Sequence, residues 1–290
     1  MSFIPNRITE YTGKKSLVDG IPFTLPVGAT NSPALMAIFP CDLQQAKQFL
    51  PSTIHPLRLW KKALLVVTVI DYRETTIGKY VEYSIAIACT YGKKPAPRLL
   101  PALLPGLFKA GQYVIDLPVS SEISVKGGKG IWGMPKHQAS LDFKVTEKKA
   151  SSQYDLDGQL VTYVEIDLPK KVWFPVKVKA SNYCSFRGML MRSDIFLDNK
   201  AGFNLFSKAK ARFVIGEHPR LQGLKKLDIQ GCMATLYLPS IKGILDDHIE
   251  SWFLTHEQLP KETPQGLESV VELSLSEEWL DPPKALVPDE

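Results

Sequence analysis

No hydrophobic run in the sequence approaches the length of a membrane span. The longest apolar stretches, such as residues 63–67, fall far short of the roughly 20 residues a spanning helix needs. The first seven residues, Met1-Ser2-Phe3-Ile4-Pro5-Asn6-Arg7, lack the apolar core of a signal peptide. Cysteine is scarce: Cys41, Cys89, Cys184 and Cys232 lie far apart with no Cys-x-x-Cys pair. That spacing argues against a disulfide framework and a zinc ribbon, and reads as buried free thiols in a reducing compartment. We therefore expect a cytoplasmic protein without a membrane partner. The Gly-x-Ser-x-Gly elbow of α/β-hydrolases is missing as well. None of the five histidines pairs with another at metal-ligand spacing, so no metal site is expected; Asp246-Asp247-His248 reads as a solvated turn and Gly216-Glu217-His218-Pro219 as a structural one.

One cofactor pattern is present in letters only. Gly128-x-Gly130-x-x-Gly133 matches the dinucleotide fingerprint, but Pro135 follows at once and the flanking elements do not alternate strand and helix. A Rossmann turn must open a helix within a βαβ unit, which excludes that reading. The net charge of +5 comes from scattered lysine pairs. Residues 170–183 mix lysines with Trp173, Phe174 and Tyr183, yet Val172, Phe174, Val176 and Val178 alternate as a half-buried strand would, so no nucleic-acid partner is expected.

At 290 residues and 44% apolar content the chain can fill one large core. We expect a single domain over residues 1–290, with loosely held termini at about 1–20 and 280–290, the latter rich in proline and acid. Alternating, β-branched and aromatic runs predict strands at residues 34–39, 57–60, 63–71, 81–91, 113–117, 138–145, 152–155, 161–168, 173–178, 183–191, 211–215 and 232–238. Asp157-Gly158 reads as a two-residue hairpin turn. Helices are few: residues 42–50, with Asp42 as N-cap and Pro51 as stop, a short one capped by Ser120 or Ser121, and residues 219–224. Residues 95–105, with four prolines, form a stiff connection, a lid or an oligomer contact, and a homo-oligomer is expected.

The most informative segment is Gly128-Lys129-Gly130-Ile131-Trp132-Gly133-Met134-Pro135-Lys136-His137, which reads as a rigid loop presenting one lysine beside bulky apolar side chains. A desolvated lysine can serve as a nucleophile, because burial disfavours the ammonium form. Upstream, Gly78-Lys79-Tyr80-Val81-Glu82 opens a long strand. One face of that strand carries Glu82, Ser84, Ala86, Ala88 and Thr90. On a closed sheet these small residues leave ligand-sized space beside a carboxylate; a helix packed closely on the same face is the alternative.

Taken in order, Gly-x-Tyr-x-Glu, some fifty residues, and a glycine-rich turn ending in Trp-Gly-x-Pro-Lys resemble the acetoacetate decarboxylase superfamily. The resemblance implies an α+β fold that is mainly antiparallel β, a closed barrel or cone-like sheet with peripheral helices. It implies Lys136 as the imine-forming lysine, Glu82 as the strand carboxylate, and no metal or organic cofactor. The chain departs from the pattern at four places: His137 stands where the family has a second lysine, Gly128-Lys129-Gly130 where it opens the loop with Gly-Arg-Glu, Pro40 where it has a pocket arginine, and Val67 where it has a second glutamate.

The function these residues point to is a Schiff-base-forming lyase acting on a small keto acid or other carbonyl compound. The alternatives are an aldolase or dehydratase using the same imine, and a non-catalytic small-molecule-binding protein of the same fold. Trp132 and Met134 are expected to shield the amine, and His137 and Gln138 to contact substrate, although alternation must turn some of these side chains outward.

Overall fold

The computed structural model describes residues 4–18 and 20–255. Seven strands make a closed barrel: β1 (Gly28–Asp42), β2 (Lys62–Tyr72), β3 (Tyr80–Tyr91), β4 (Ala110–Val119), β5 (Phe174–Phe186), β6 (Met189–Leu205) and β7 (Ala234–Leu245). Around the ring the order is β3-β2-β1-β7-β6-β5-β4, and β4 pairs again with β3 to close it. An odd number of strands cannot alternate direction all the way round. One junction must be parallel, and it is β4 with β5, a two-residue contact at Gln112↔Asn182 and Tyr113↔Tyr183. The fold is mainly antiparallel, as expected.

The central strands are apolar on both faces because both are covered. Inside the barrel lie Met36, Thr68, Ile70, Tyr72, Glu82 and Ser84. Outside, Leu35, Ala37, Phe39, Leu65, Val67, Val69, Tyr83, Ile85 and Ile87 pack against a second sheet. That sheet comprises Ser140–Leu141, Lys144–Val145, Lys149–Leu156, Gln159–Asp167 and Ala211–Ile215. It adds Tyr154, Val161, Val164 and Ile166 to the core, and the 3-10 helix Pro219–Leu227 adds Leu221, Leu224 and Leu227. Fully burying one such aliphatic side chain is worth about 1.5–3 kcal/mol, so this layer between barrel and sheet carries much of the stability.

Local signals account for several elements. Asp42 caps the helix Leu43–Lys47, its Oδ1 accepting from the backbone N–H of Gln44 and Gln45 at 2.9 and 2.8 Å. Asp157 and Gly158 both take positive φ, 51° and 74°, at the hairpin of the second sheet. Other expectations shift. Residues 173–178 and 183–191 are not two strands: β5 runs unbroken to Phe186, and the turn falls at Arg187 and Gly188, with φ of 53° and 74°. The strand expected at 57–60 lies instead at Ile54–Pro56.

The N-terminal residues, expected to hang loosely, are tied down. A helical turn, Asn6–Thr9, and a hairpin of Lys15–Val18 with Ile21–Thr24 lie against the barrel. Ile8, Ile21 and Phe23 are buried, and Arg7 makes a bidentate ion pair with buried Asp246 at 2.6 Å. Asp246 is therefore not part of a solvated turn. The tail expected at 280–290 lies outside the described residues. Among the described residues no helix is long and apolar enough to cross a membrane, and Cys41, Cys89, Cys184 and Cys232 are free thiols, the first three buried.

Candidate active site

The segment read as a loop is half helix. Residues Glu122–Trp132 form a helix with Ser121 at its N-cap, and the glycines 128 and 130 lie within it. Gly133, at φ 63°, ends the helix; its N–H and that of Met134 bond back to the carbonyls of Lys129 and Gly128. The thiol of Cys184 on β5 donates to the Gly133 carbonyl at 3.2 Å and pins this corner to the barrel wall. After Pro135 the chain becomes a short strand, Lys136–Gln138, which pairs in parallel with the end of β4.

Register then decides where each side chain points. Strand β4 lies between β3 and the short strand at this end, with Lys136 opposite Leu117 and Glu82 opposite Val119. Leu117 and Val119 share one face of the pleat, so their partners share it too. Lys136 and Glu82 thus both turn into the barrel, and Lys136 Nζ lies 2.6 Å from Glu82 Oε2. Lys136 is 6% exposed. Its ammonium lies 4.8 Å from the centre of the Tyr80 ring, and its aliphatic stem crosses the helix exactly where Gly128 offers no side chain.

These groups line a cavity of about 150 Å³ inside the barrel. Trp132 and Met134 form part of its wall. Ser84, Gln112, Asn182 and Asp194 provide polar positions, and the buried hydroxyl of Thr68 makes no hydrogen bond. The rings of Tyr72 and Tyr80 meet at a tilt of 34° with centroids 4.6 Å apart. Burial, then the charge of Glu82, pushes both phenols well above their usual range, so they stay protonated. Tyr80 was within reach of sequence reasoning: it precedes Glu82 by two residues and must share its face. The other polar positions come from distant strands and carry no local signal.

Two expected contacts are not made. His137 sits opposite Pro118 and faces out of the barrel, where its Nε2 meets Asp116 Oδ1 at 3.0 Å. Gln138 is exposed at the rim beside Ser120 and does not line the cavity. Strand pleating is the cause of the first: a residue next to an inward lysine must turn outward. Val67 is likewise corrected. It lies in the outer core opposite Ile85, and Thr68 takes the inward place. Pro40 pairs with Leu64 and does not line the cavity, and no arginine does so among the described residues.

His137 belongs to a second polar cluster behind the site. Asp116, 2% exposed, accepts from Arg220 Nε and Nη2 at 3.0 and 2.7 Å and from Tyr154 Oη at 3.1 Å, besides its contact with His137. Burial raises the Asp116 carboxyl, but hydrogen bonds from His137 and Arg220, and their charge, more than offset this and hold it below its ordinary value. The cluster joins β4, the lysine strand, the second sheet and the 3-10 helix, and so fixes the strand that carries Lys136. Among the described residues no group of three or more His, Cys, Asp or Glu side chains could hold a metal ion.

Comparison with known proteins agrees with the fold. A family model described as acetoacetate decarboxylase (ADC) matches residues 5–182. No curated protein sequence matches. Among solved structures, an acetoacetate decarboxylase superposes with a TM-score of 0.59 at 13% identity, over 79% of this chain and 89% of that one. The enduracididine biosynthesis enzyme MppR, complexed with pyruvate, gives 0.57 at 13%, over 79% and 91%. An acetoacetate decarboxylase from Legionella pneumophila gives 0.56 at 13%, over 78% and 87%. Identities this low speak for the fold alone, but the family match spans more than half of the sequence and includes both Glu82 and Lys136. The chain belongs to the acetoacetate decarboxylase family.

Proposed function

We propose that the protein is a lysine-imine lyase acting on a small keto acid or other carbonyl compound. The observation that carries this is the 2.6 Å pair of Lys136 Nζ and Glu82 Oε2, both largely buried, in the cavity inside the barrel. Glu82 takes a proton from Lys136, and the free amine adds to the carbonyl carbon. The carbonyl oxygen takes one proton from the added amine and one from Glu82 and leaves as water, forming a protonated imine. With a β-keto acid, the imine accepts the electron pair of the breaking carbon–carboxylate bond. Carbon dioxide departs, Glu82, reprotonated from solvent, gives a proton to the enamine carbon, and hydrolysis frees the ketone and the amine. Tyr72 and Tyr80, kept protonated, are the candidates to donate hydrogen bonds to the carbonyl oxygen as charge develops there.

The same imine supports aldol or dehydratase chemistry, in which an enamine formed by proton loss adds to a second carbonyl. This second reading is favoured by the lining, which includes no arginine among the described residues to receive a substrate carboxylate. It is also favoured by MppR, which has been solved with the condensation product of pyruvate and imidazole 4-carboxaldehyde. The test is borohydride reduction in the presence of keto acids, ketones and aldehydes, followed by peptide mapping. An adduct on Lys136 supports either enzyme, and released carbon dioxide separates them. No adduct with any carbonyl leaves a non-catalytic binding protein. We also propose cytoplasmic action and self-association, the latter supported by exposed Leu103 and Leu107 beside the proline-rich connection.

A further inference from the structure

A second cavity adjoins the first. It measures about 330 Å³ and lies between the N-terminal segment and one end of the barrel. Its lining is mostly apolar, with Ile8, Val18, Phe23, Leu25 and Ile249 among the contributors. Trp132 and Leu245 line both cavities and so stand as the partition between them. The indole Nε1 of Trp132 donates to the Asp246 carbonyl at 3.2 Å, and the Asp246 side chain is the one held by Arg7. The N-terminal segment thus closes the far side of this chamber and fixes one edge of the partition.

The sizes matter. The cavity that holds Lys136 and Glu82 is smaller than the roughly 300–1,000 Å³ of ordinary ligand sites, whereas the adjoining chamber falls within that range. A cavity of about 150 Å³ holds a molecule the size of benzene, so the inner one takes a carbonyl group with only a few further heavy atoms. The apolar walls of the outer chamber offer dispersion contacts to an aliphatic chain.

We propose that the outer chamber binds the aliphatic tail of the substrate while the inner cavity binds its carbonyl group, with Trp132 and Leu245 flanking the chain where it passes between them. This rests on the imine reading given above. The substrate class is then a carbonyl compound with an unbranched alkyl chain several carbons long, not the shortest keto acids or ketones.

The experiment is borohydride trapping with the homologous methyl ketones from acetone to 2-nonanone, read as the half-saturating concentration for labelling of Lys136. The chamber predicts a fall of about three- to fourfold for each added methylene, the gain from burying one such group. Ser16→Phe and Ile249→Trp, each placing bulk in the chamber, should collapse the ratio between 2-nonanone and acetone toward one; circular dichroism checks that both variants are folded. A parallel measurement omits the chemistry: 2-nonanone should raise the melting temperature of Lys136→Ala and not of Ile249→Trp. Trapping with equal half-saturation along the series overturns the chamber and leaves the imine intact. Absence of trapping with any ketone, alongside a retained melting shift in Lys136→Ala, overturns the imine and leaves the chamber.

Discussion

Replacing Gly128 by alanine separates chemistry from folding more cleanly than removing the lysine does. A Cβ at position 128 would lie 2.6 Å from Lys136 Cε, 3.0 Å from Cγ and closer still to Cδ. Ordinary carbon contacts begin near 3.5 Å, so the lysine stem must move by roughly 1 Å. The stem is flexible, and an off-rotamer adjustment costs about 0.5–1.5 kcal/mol. Against this, alanine is favoured over glycine in a helix interior by about 1 kcal/mol. The two nearly cancel, and unfolding free energy should change by no more than about 1 kcal/mol. Displacing a reacting amine by 1 Å is a different matter, and can slow a step about a hundredfold. The assay pairs urea unfolding with the rate of borohydride-trapped adduct on Lys136. Slow trapping in a protein of normal stability is the expected result. Trapping at the wild-type rate would show that the stem does not need the space at Gly128 and would refute the placement of the amine.

Glu82→Gln keeps the size of the side chain and removes its capacity to accept a proton; turnover should fall more than substrate binding weakens, and a kcat equal to wild type would remove Glu82 from proton transfer. Asp116→Asn should destabilise the fold by about 2–4 kcal/mol in urea unfolding at pH 7, below the 3–5 kcal/mol typical of breaking a fully buried pair because Arg220 is 36% exposed. The pH dependence has a definite sign. The Asp116 carboxyl is depressed in the folded state, so its stabilisation is present above the unfolded carboxylate value of about 3.9 and is lost as the pH falls through the folded value. The stability gap between wild type and Asp116→Asn should therefore narrow on acidification below about pH 4; a gap that is constant with pH contradicts the charge-based account of the cluster.

The long strands were legible because both of their faces obey simple rules. Alternation along residues 81–91 separates Tyr83, Ile85 and Ile87, which pack outward, from Glu82 and Ser84, which line the cavity. The Asp42 cap and the Asp157-Gly158 turn were legible because each is a local hydrogen-bonding or φ requirement. What escaped the sequence depends on contacts far apart in the chain. Nothing near Val67 says that its strand is covered on the outer face by residues 149–167. Nothing near residue 116 announces Arg220. The last part of the Glu122–Trp132 helix was hidden by its glycines, which are poor helix formers; Lys136 lies across one of them, Gly128. His137 could have been placed correctly, since a neighbour of an inward strand residue points outward; treating 136 and 137 as part of a loop obscured that.

The account stands or falls on reversible imine formation at one amine, which can be watched without trapping. A ketone incubated with the protein in H₂¹⁸O exchanges its carbonyl oxygen each time a lysine imine forms and hydrolyses. The wild-type protein should accelerate this exchange well above the rate in buffer, and Lys136→Ala should return it to the buffer rate while remaining folded. Exchange that persists undiminished in Lys136→Ala, or that never exceeds buffer with any ketone or aldehyde, contradicts it.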